Sequence, residues 1–441
     1  MKTILVAGAG HGGLSAAINL ARKGYDVTVI EKQKREEMGY NWEDAIELSA
    51  FDFAEIARPD ESIYIKSHPM AYMSPNGQHV LKMPYDKGIG RRVHMERKGL
   101  IAHMLSEAEK AGVKLIFETE ILAPVIERNA VKGMKIISGE GEVVLESDLL
   151  IDAAGLNSPI RTQLPASFGI VRQFEERNIF NAYRVYFDNT DGTITDPPYN
   201  VTFFHMNKPG ISWTITDEKF VDIIVGKFQM KGKLTMDEVN ASIDDFRSRY
   251  PYIGQKILRG GEKIESIPIS RMISKIVYNG YAAVGDSAGM TIPLSGSGLV
   301  LSIMAGKYLA DCVLSIGDGE YTEKSLWAYE YNYFQEQGKN YLMLDAFKNF
   351  FTYVEAKDID YILKKKILTE QQFSVADGEP LVLPLKQIIH IVLNGMPVIK
   401  IFPHLIGALA VVPALPVVMK LMPKEYDEKK FKKWEKFYLS L

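Results

Sequence analysis

The sequence predicts an α/β fold: a Rossmann-type parallel sheet, an inserted antiparallel sheet and a helical C-terminal region. Three observations predict it. The stretch "LVAGAGHGGLSAAINLARKGYDVTVIEK" (Leu5–Lys32) reads strand, glycine turn, helix, strand. From about Phe168 to Arg271 the apolar residues switch to the alternation of half-buried strands, as in "AYRVYFD", "YNVTFFHM", "GISWTIT" and "FVDIIVGKF". "GYAAVGDSAGMTIPLSGSGLVLSIMAGKYLADCVL" (Gly280–Leu314) returns to strand, glycine loop and long helix, and the remainder is helical.

In the first unit, Ile4–Ala7 is a buried-strand run and Leu14, Ala17, Ile18 and Leu20 recur at helical spacing. Gly24 ends that helix and Val27–Ile30 forms the second strand, finishing on Glu31. Gly8, Gly10 and Gly13 stand at the spacing G-x-G-x-x-G, the signature of a dinucleotide-binding turn. Gly8 makes the turn tight, Gly10 admits a pyrophosphate and Gly13 brings helix and sheet together. The helix N-terminus supplies free N–H groups and a positive dipole end. Glu31 is placed to accept ribose hydroxyls, which disfavours a 2′-phosphate. His11, Gly12, Lys32 and Ile121 complete the candidate nucleotide contacts on this side.

Composition excludes several classes. With 46% hydrophobic and 24% charged residues the chain is ordinarily globular, and a net charge of −3 offers no basic field for nucleic acid. The single cysteine, Cys312, can form neither an internal disulfide nor a C-x-x-C redox pair, and the eight histidines show no ligand spacing, so no metal is expected. The apolar strand directly after Met1-Lys2-Thr3 does not read as a signal peptide, and a cytoplasmic location is expected.

Between the two βαβ-like ends, "KQKREEMGYNWEDAIELSAFDFAEI" reads as irregular, followed by turn-rich sequence to about Gly90. Arg97–Phe117 reads as a helix stopped at Gly112, then a strand, and Val131–Ile137 with Val143–Leu145 as a hairpin. "SDLLIDAAGLNSPIR" delivers Asp152 to a small-residue turn ending in Ala154 and Gly155. "VGDSAG" places Asp286 at a strand end, where it can bind a polyol. Pro293 to Gly298, with Gly296 and Ser297, forms a loop opening into a helix at Leu299.

The order of these three motifs resembles the FAD-dependent oxidoreductases of the aromatic-hydroxylase superfamily, and within it the geranylgeranyl reductase branch. The resemblance implies that the first motif holds the ADP half of FAD, that Asp286 binds ribitol and that the loop 296–299 lies along the isoalloxazine. It also implies a cofactor contact for Arg97, which heads the helix before the "DAAG" strand. Among the departures, Ala154 replaces the aspartate of "DADG", Gly289 replaces the histidine of "GDAAH", and "GISWTITDEKF" keeps an aromatic, Trp213, without the tyrosine and Phe-Pro of the reductase substrate signature, so a substrate other than the family's usual one is expected. Only one dinucleotide turn is present, so NAD(P)H or a small electron carrier is expected to reduce the flavin transiently.

These readings predict a discontinuous FAD domain at 1–70, 91–167 and 271–345. They assign a substrate sheet to 71–90 and 168–270, and a helical region to 346–441. The resemblance favours reduction of a carbon–carbon double bond in a hydrophobic, isoprenoid or lipid-like substrate. The alternatives are monooxygenation of an apolar or aromatic compound and a non-catalytic lipid-binding flavoprotein. Glu43, Asp44 and Glu47 lie beside Tyr40 and Trp42, where a desolvated carboxyl would suit proton donation; the other reading is a solvated helix face. His205 and Trp213 line either a substrate pocket, His205 then as a catalytic candidate, or the core.

"IFPHLIGALAVVPALPVVM" (Ile401–Met419) carries no charge, and nineteen residues would span about 28 Å as a helix. Pro403, Pro413 and Pro416 argue against one straight helix. The expectation is a broken apolar hairpin or lid touching one leaflet, against the alternative of a core helix pair. The tail behind it carries seven lysines against four acids, with Phe431, Trp434, Phe437 and Tyr438 interleaved, and suits peripheral contact with the inner membrane face.

Overall fold

The computed structural model describes residues 2–65, 67–84, 92–139, 141–374 and 384–441. Residues 85–90, the end of the turn-rich stretch, lie outside the described residues.

The founding unit is β1 (Thr3–Ala7), α1 (His11–Ala21) and β2 (Asp26–Ile30). Ile4 to Ala7 are buried on both faces, which is why this strand carries no alternation. Helix α1 closes at Gly24, whose φ of +87° lets Gly24 N donate to Ala21 O and Tyr25 N to Leu20 O. Next come β3 (Glu43–Ile46), α2 (Ser49–Phe53), β4 (Tyr64–Ile65), β5 (Met70–Met73) and β6 (Val80–Lys82). The chain then runs through β7 (Val93–Glu96), α3 (Arg97–Lys110) and β8 (Lys114–Ile116). Segment 43–46 is therefore a strand, paired antiparallel with β7, where the sequence reads as irregular or helical. Four residues are too few for alternation to be legible.

The hairpin is present as β10 (Ala130–Ser138) and β11 (Gly141–Glu146), with β9 (Glu120–Glu127) pairing β10 to make a three-stranded sheet, followed by β12 (Leu149–Asp152). Strand β1 pairs in parallel with both β12 and β2, matching Ala7 to Asp152 and to Ile30. The sheet is completed by β19 (Val277–Tyr278) and β20 (Tyr281–Ala283), in the order β19-β20-β12-β1-β2-β8. A second sheet is built from β13 (Ile179–Asn189), β14 (Tyr199–Phe203), β15 (Ile211–Thr216) and β16 (Phe220–Phe228). Helix α4 (Met236–Arg249) covers it, and β17 (Ile253–Gly260) and β18 (Glu265–Pro268) both pair with β13. This sheet is antiparallel except that β5 joins β14 in parallel.

The helical region comprises α5 (Leu299–Ile316), α6 (Glu323–Phe351), α7 (Ala356–Lys364), α8 (Glu370–Phe373), α9 (Leu385–Asn394), α10 (Phe402–Leu421) and α11 (Glu428–Ser440). Helices α5 and α1 pack through small residues. A Cβ at Gly306 would lie 2.4 Å from Gly12 O, and one at Gly12 would lie 2.9 Å from Ser302 O. Ser15 Oγ donates to Ile303 O across the same contact. Gly12 therefore serves helix packing as well as the turn.

Two expectations about the C-terminus change. Residues 402–419 of this segment form one helix rather than a broken hairpin: Pro403 sits in its first turn, and Pro413 and Pro416 lie on its exposed side. The tail's Phe431, Trp434 and Tyr438 face inward, Trp434 Nε1 donating to Val418 O and Tyr438 OH to Met272 O. Helical periodicity turns these aromatics to the body, so the tail offers lysines, not aromatic anchors, to its surroundings.

Candidate active site

The glycine turn is shaped by what lies beneath it. Gly8 has φ +89°, and a Cβ there would lie 2.7 Å from Ala153 O; at Gly13 it would lie 2.6 Å from Ala153 Cβ. Glu31 Oε2 accepts from Ala9 N and Oε1 from Gln33 N, stapling the turn to β2. Asp152 is buried and accepts from Ser158 Oγ, Tyr281 OH, Ser287 Oγ and Ala154 N, so the second motif is a closed knot that fixes Ala154 and Gly155.

Two adjoining cavities of about 290 Å³ each open from this corner. The nucleotide-side cavity is walled on one side by Gly10, His11, Gly12, Gly155, Asp286, Pro293, Gly296, Gly298 and Leu299. Tyr40, Trp42 and Trp213 line the other, beside Phe180 and Phe228. Ser297 lines only the inner cavity. Gly298 precedes α5, whose N-terminus meets the cavity with its positive dipole end. Thr291 Oγ1 donates to Asp286, whose pKa burial pushes up.

The inner cavity is strongly apolar, lined by Met70, Val201, Phe203, Phe350, Phe351 and Phe373 among others, with Ile391 of α9 and Leu405 and Leu409 of α10 also in its wall. Tyr72, Phe203, Phe351 and Phe373 form one aromatic cluster with centroid separations from 4.8 to 5.8 Å.

Asp44, Arg97, Arg184 and Trp213 line both cavities and form their junction. Arg97 Nη1 donates to Asp44 Oδ2 at 3.1 Å. Arg184, buried on β13, donates to both carboxylate oxygens of buried Asp222, to Glu43 O and, at 3.5 Å, to Asp44 Oδ1. Its guanidinium lies over Trp42, Tyr186 and Trp213, and Trp42 stacks on Tyr40 at 4.2 Å. Alternation on β3 separates Glu43 from Asp44. Glu43 is buried within 3.4 Å of Arg259 Nη2, its Oε2 has no partner among the described residues, and burial with help from Asp222 pushes its pKa up to about 7.

Three residues of the nucleotide-side lining each keep a buried side-chain atom without a protein partner among the described residues: His11 Nε2, Arg97 Nε and Trp213 Nε1. Burial, reinforced by Arg97, drives the His11 pKa well below its ordinary value, so the ring is neutral. Unpaired buried polar atoms on the residues around a glycine-walled cavity fit a large polar cofactor.

A family profile described as "FAD binding domain" matches residues 1–333. The chain belongs to this FAD-binding family. It is an FAD-dependent oxidoreductase, and FAD is its cofactor. A digeranylgeranylglycerophospholipid reductase of Sulfolobus acidocaldarius is 24% identical over 377 residues, covering 83% of this chain and 81% of that one. A geranylgeranyl bacteriochlorophyll reductase-like structure from Thermoplasma acidophilum superposes with a TM-score of 0.72 at 20% identity, covering 91% of this chain and 98% of that one. A probable FAD-dependent monooxygenase from Pseudomonas aeruginosa gives 0.58 at 18%, covering 85% and 99%.

Within this FAD-binding fold some sequence candidates stand apart from the cavities. Lys32 is exposed, and Ile121 is buried in β9, outside both linings. His205 is also outside them: Phe204 takes φ +50° just after β14, and His205 turns away to pair with Asp245 at 2.8 Å and stack on Phe246. The alternation that would have aimed it at the cavity ends at Phe203. Sequence reasoning missed Arg184, Asp222 and the aromatic cluster. The only signal was charge inside a strand, Arg184 in "AYRVYFD" and Asp222 in "FVDIIVGKF".

Proposed function

We propose that this oxidoreductase reduces a carbon–carbon double bond in a hydrophobic, isoprenoid-type lipid. The observation that carries the reading is the apolar inner cavity, which meets the nucleotide-side cavity at Asp44, Arg97, Arg184 and Trp213. Such a cavity takes a long hydrocarbon chain and brings one part of it to the junction. The relatives named as reductases of digeranylgeranylglycerophospholipids support the same substrate class.

Reduced FAD, when bound, supplies a hydride. Reduction of the alkene adds that hydride to one carbon and a proton to the other. We assign the proton to Glu43, a residue of the inner-cavity lining whose pKa burial pushes up to about 7. Asp44, engaged by Arg97 and Arg184, is a positioning residue that holds the junction open. Trp213 packs its ring at this junction, and Tyr40 and Trp42 line the nucleotide-side cavity beside it. His11, Gly10, Gly12, Arg97, Asp286 and the loop 296–299 would hold the cofactor, and NAD(P)H or a small electron carrier would reduce it transiently. The division into a discontinuous FAD domain, a substrate sheet at 71–90 and 168–270 and a helical region from 346 follows the same reading.

A second reading, oxygen-dependent hydroxylation or epoxidation, is favoured by the shared fold of the Pseudomonas monooxygenase. Mixing reduced protein with polyisoprenoid alkenes, with and without oxygen, separates the two.

A further inference from the structure

The C-terminal helices expose an apolar face that the core does not use. On α9, Leu385, Ile388, Ile389 and Leu393 fall on one side of the helix, and all four are exposed, Leu385 by 72% and Leu393 by 74%. Ile399 and Ile406 extend the patch onto the start of α10. A surface helix of a soluble body turns such a stripe inward; here it points out.

The other side of the same helices lines the inner cavity, through Ile391 of α9 and Leu405 and Leu409 of α10. The exposed patch and the hydrocarbon cavity are thus two faces of one thin wall. The stretch 384–424 contains four lysines and no acid. Lys386 and Lys420 are exposed, and Lys400 reaches Glu355 and Asp358. Helix α10 is held to the body, Gln335 Nε2 donating to Met419 O and Trp434 Nε1 to Val418 O. It is therefore fixed to lie on a surface rather than to cross a bilayer.

We propose that α9 and the first half of α10 dock on an anionic lipid bilayer, and that the wall of Ile391, Leu405 and Leu409 is the door by which a lipid enters the cavity. The cargo rests on the reductase reading above; the docking face does not. Apolar residues at the headgroup boundary and lysines above it are the arrangement of interfacial helices.

The test uses the FAD-loaded full chain with vesicles of phosphatidylcholine alone or mixed with phosphatidylglycerol, followed by flotation. The native protein should float with the anionic vesicles, and less at high salt. The double variant L385Q/L393Q should partition about tenfold or more weakly, because two exposed apolar anchors are lost. It should keep its FAD and its turnover on detergent-dispersed alkene. Leu439, 60% exposed on α11, is the control, and L439Q should float as the native protein does. The proposal is overturned if the native protein ignores anionic vesicles, if L385Q/L393Q floats unchanged, or if L439Q loses as much. It is also overturned if the native chain is a dimer that L385Q/L393Q dissociates while neither binds vesicles; the face then joins two copies. Vesicle binding without turnover on any alkene sinks the reductase reading and supports the docking face.

Discussion

Arg184 and Asp222 form a closed ion pair beneath the junction of the two cavities, Nη2 standing 2.6 Å from Oδ2 and Nε 3.0 Å from Oδ1, with both side chains buried. The remaining guanidinium nitrogen ties this pair to β3 through Glu43 O and Asp44. One residue thus joins the inserted sheet to the segment facing the nucleotide-side cavity.

Replacing Arg184 by Met leaves Asp222 charged, buried and alone, which costs about 3–5 kcal/mol. Urea denaturation of the variant should show this loss, and R184M/D222N should recover part of it. Equal stability of R184M and the native chain would remove Arg184 from the account.

Glu43 sets a pH dependence. Its folded pKa, about 7, lies above its ordinary value of 4.5, so the folded state holds the proton more tightly. The stability this gives is complete below about pH 4.5 and is lost as pH rises through about 7. As proton donor it makes the alkene-reduction step fall over the same upper limb. Single-turnover rates measured from pH 5 to pH 9 should lose that limb in Glu43→Gln, with overall activity lowered about 10²–10⁴-fold and FAD retained. An unaltered profile would reassign the proton.

Asp44→Asn tests positioning rather than proton supply. Losing the Asp44 charge between Arg97 and Arg184 should slow turnover, leave FAD content intact and keep the pH profile of the native enzyme. Loss of the upper limb in Asp44→Asn would show instead that Asp44 is the acid.

Gly306→Ala addresses the packing of α5, which follows the loop 296–298, against α1. The added methyl would meet Gly12 O at 2.4 Å, pushing α5 from α1 at a cost of about 1–3 kcal/mol. The melting temperature should fall and purified protein should carry less flavin by absorbance. Full flavin occupancy at an unchanged melting temperature would refute the close contact.

The parts of this molecule legible in its sequence are those built from local pattern. The strand, glycine turn and helix from Leu5 to Lys32 form a contiguous unit, and Gly280–Leu314 repeats that grammar, so fold class and FAD followed from spacing and resemblance. The junction was only half legible. Tyr40, Trp42 and Trp213 stood out as aromatics in polar or glycine-rich surroundings. Arg184 and Asp222 meet only through the register of β13 with β16, which no local pattern encodes. The chain reversal that removes His205 depends on positive φ at Phe204, Met206 and Asn207. In 401–419, prolines that normally break a helix lie on its exposed side, where the carbonyls they leave unpaired need no buried partner.

The central claim is best tested by mixing the reduced, FAD-loaded enzyme with a polyisoprenoid alkene under strict exclusion of oxygen, while following flavin absorbance and product mass. Alkene reduction requires reoxidation that depends on the alkene, with each product double bond replaced by a single bond and no oxygen gained. Flavin that stays reduced until oxygen is admitted, with a product carrying a new oxygen atom, would contradict it.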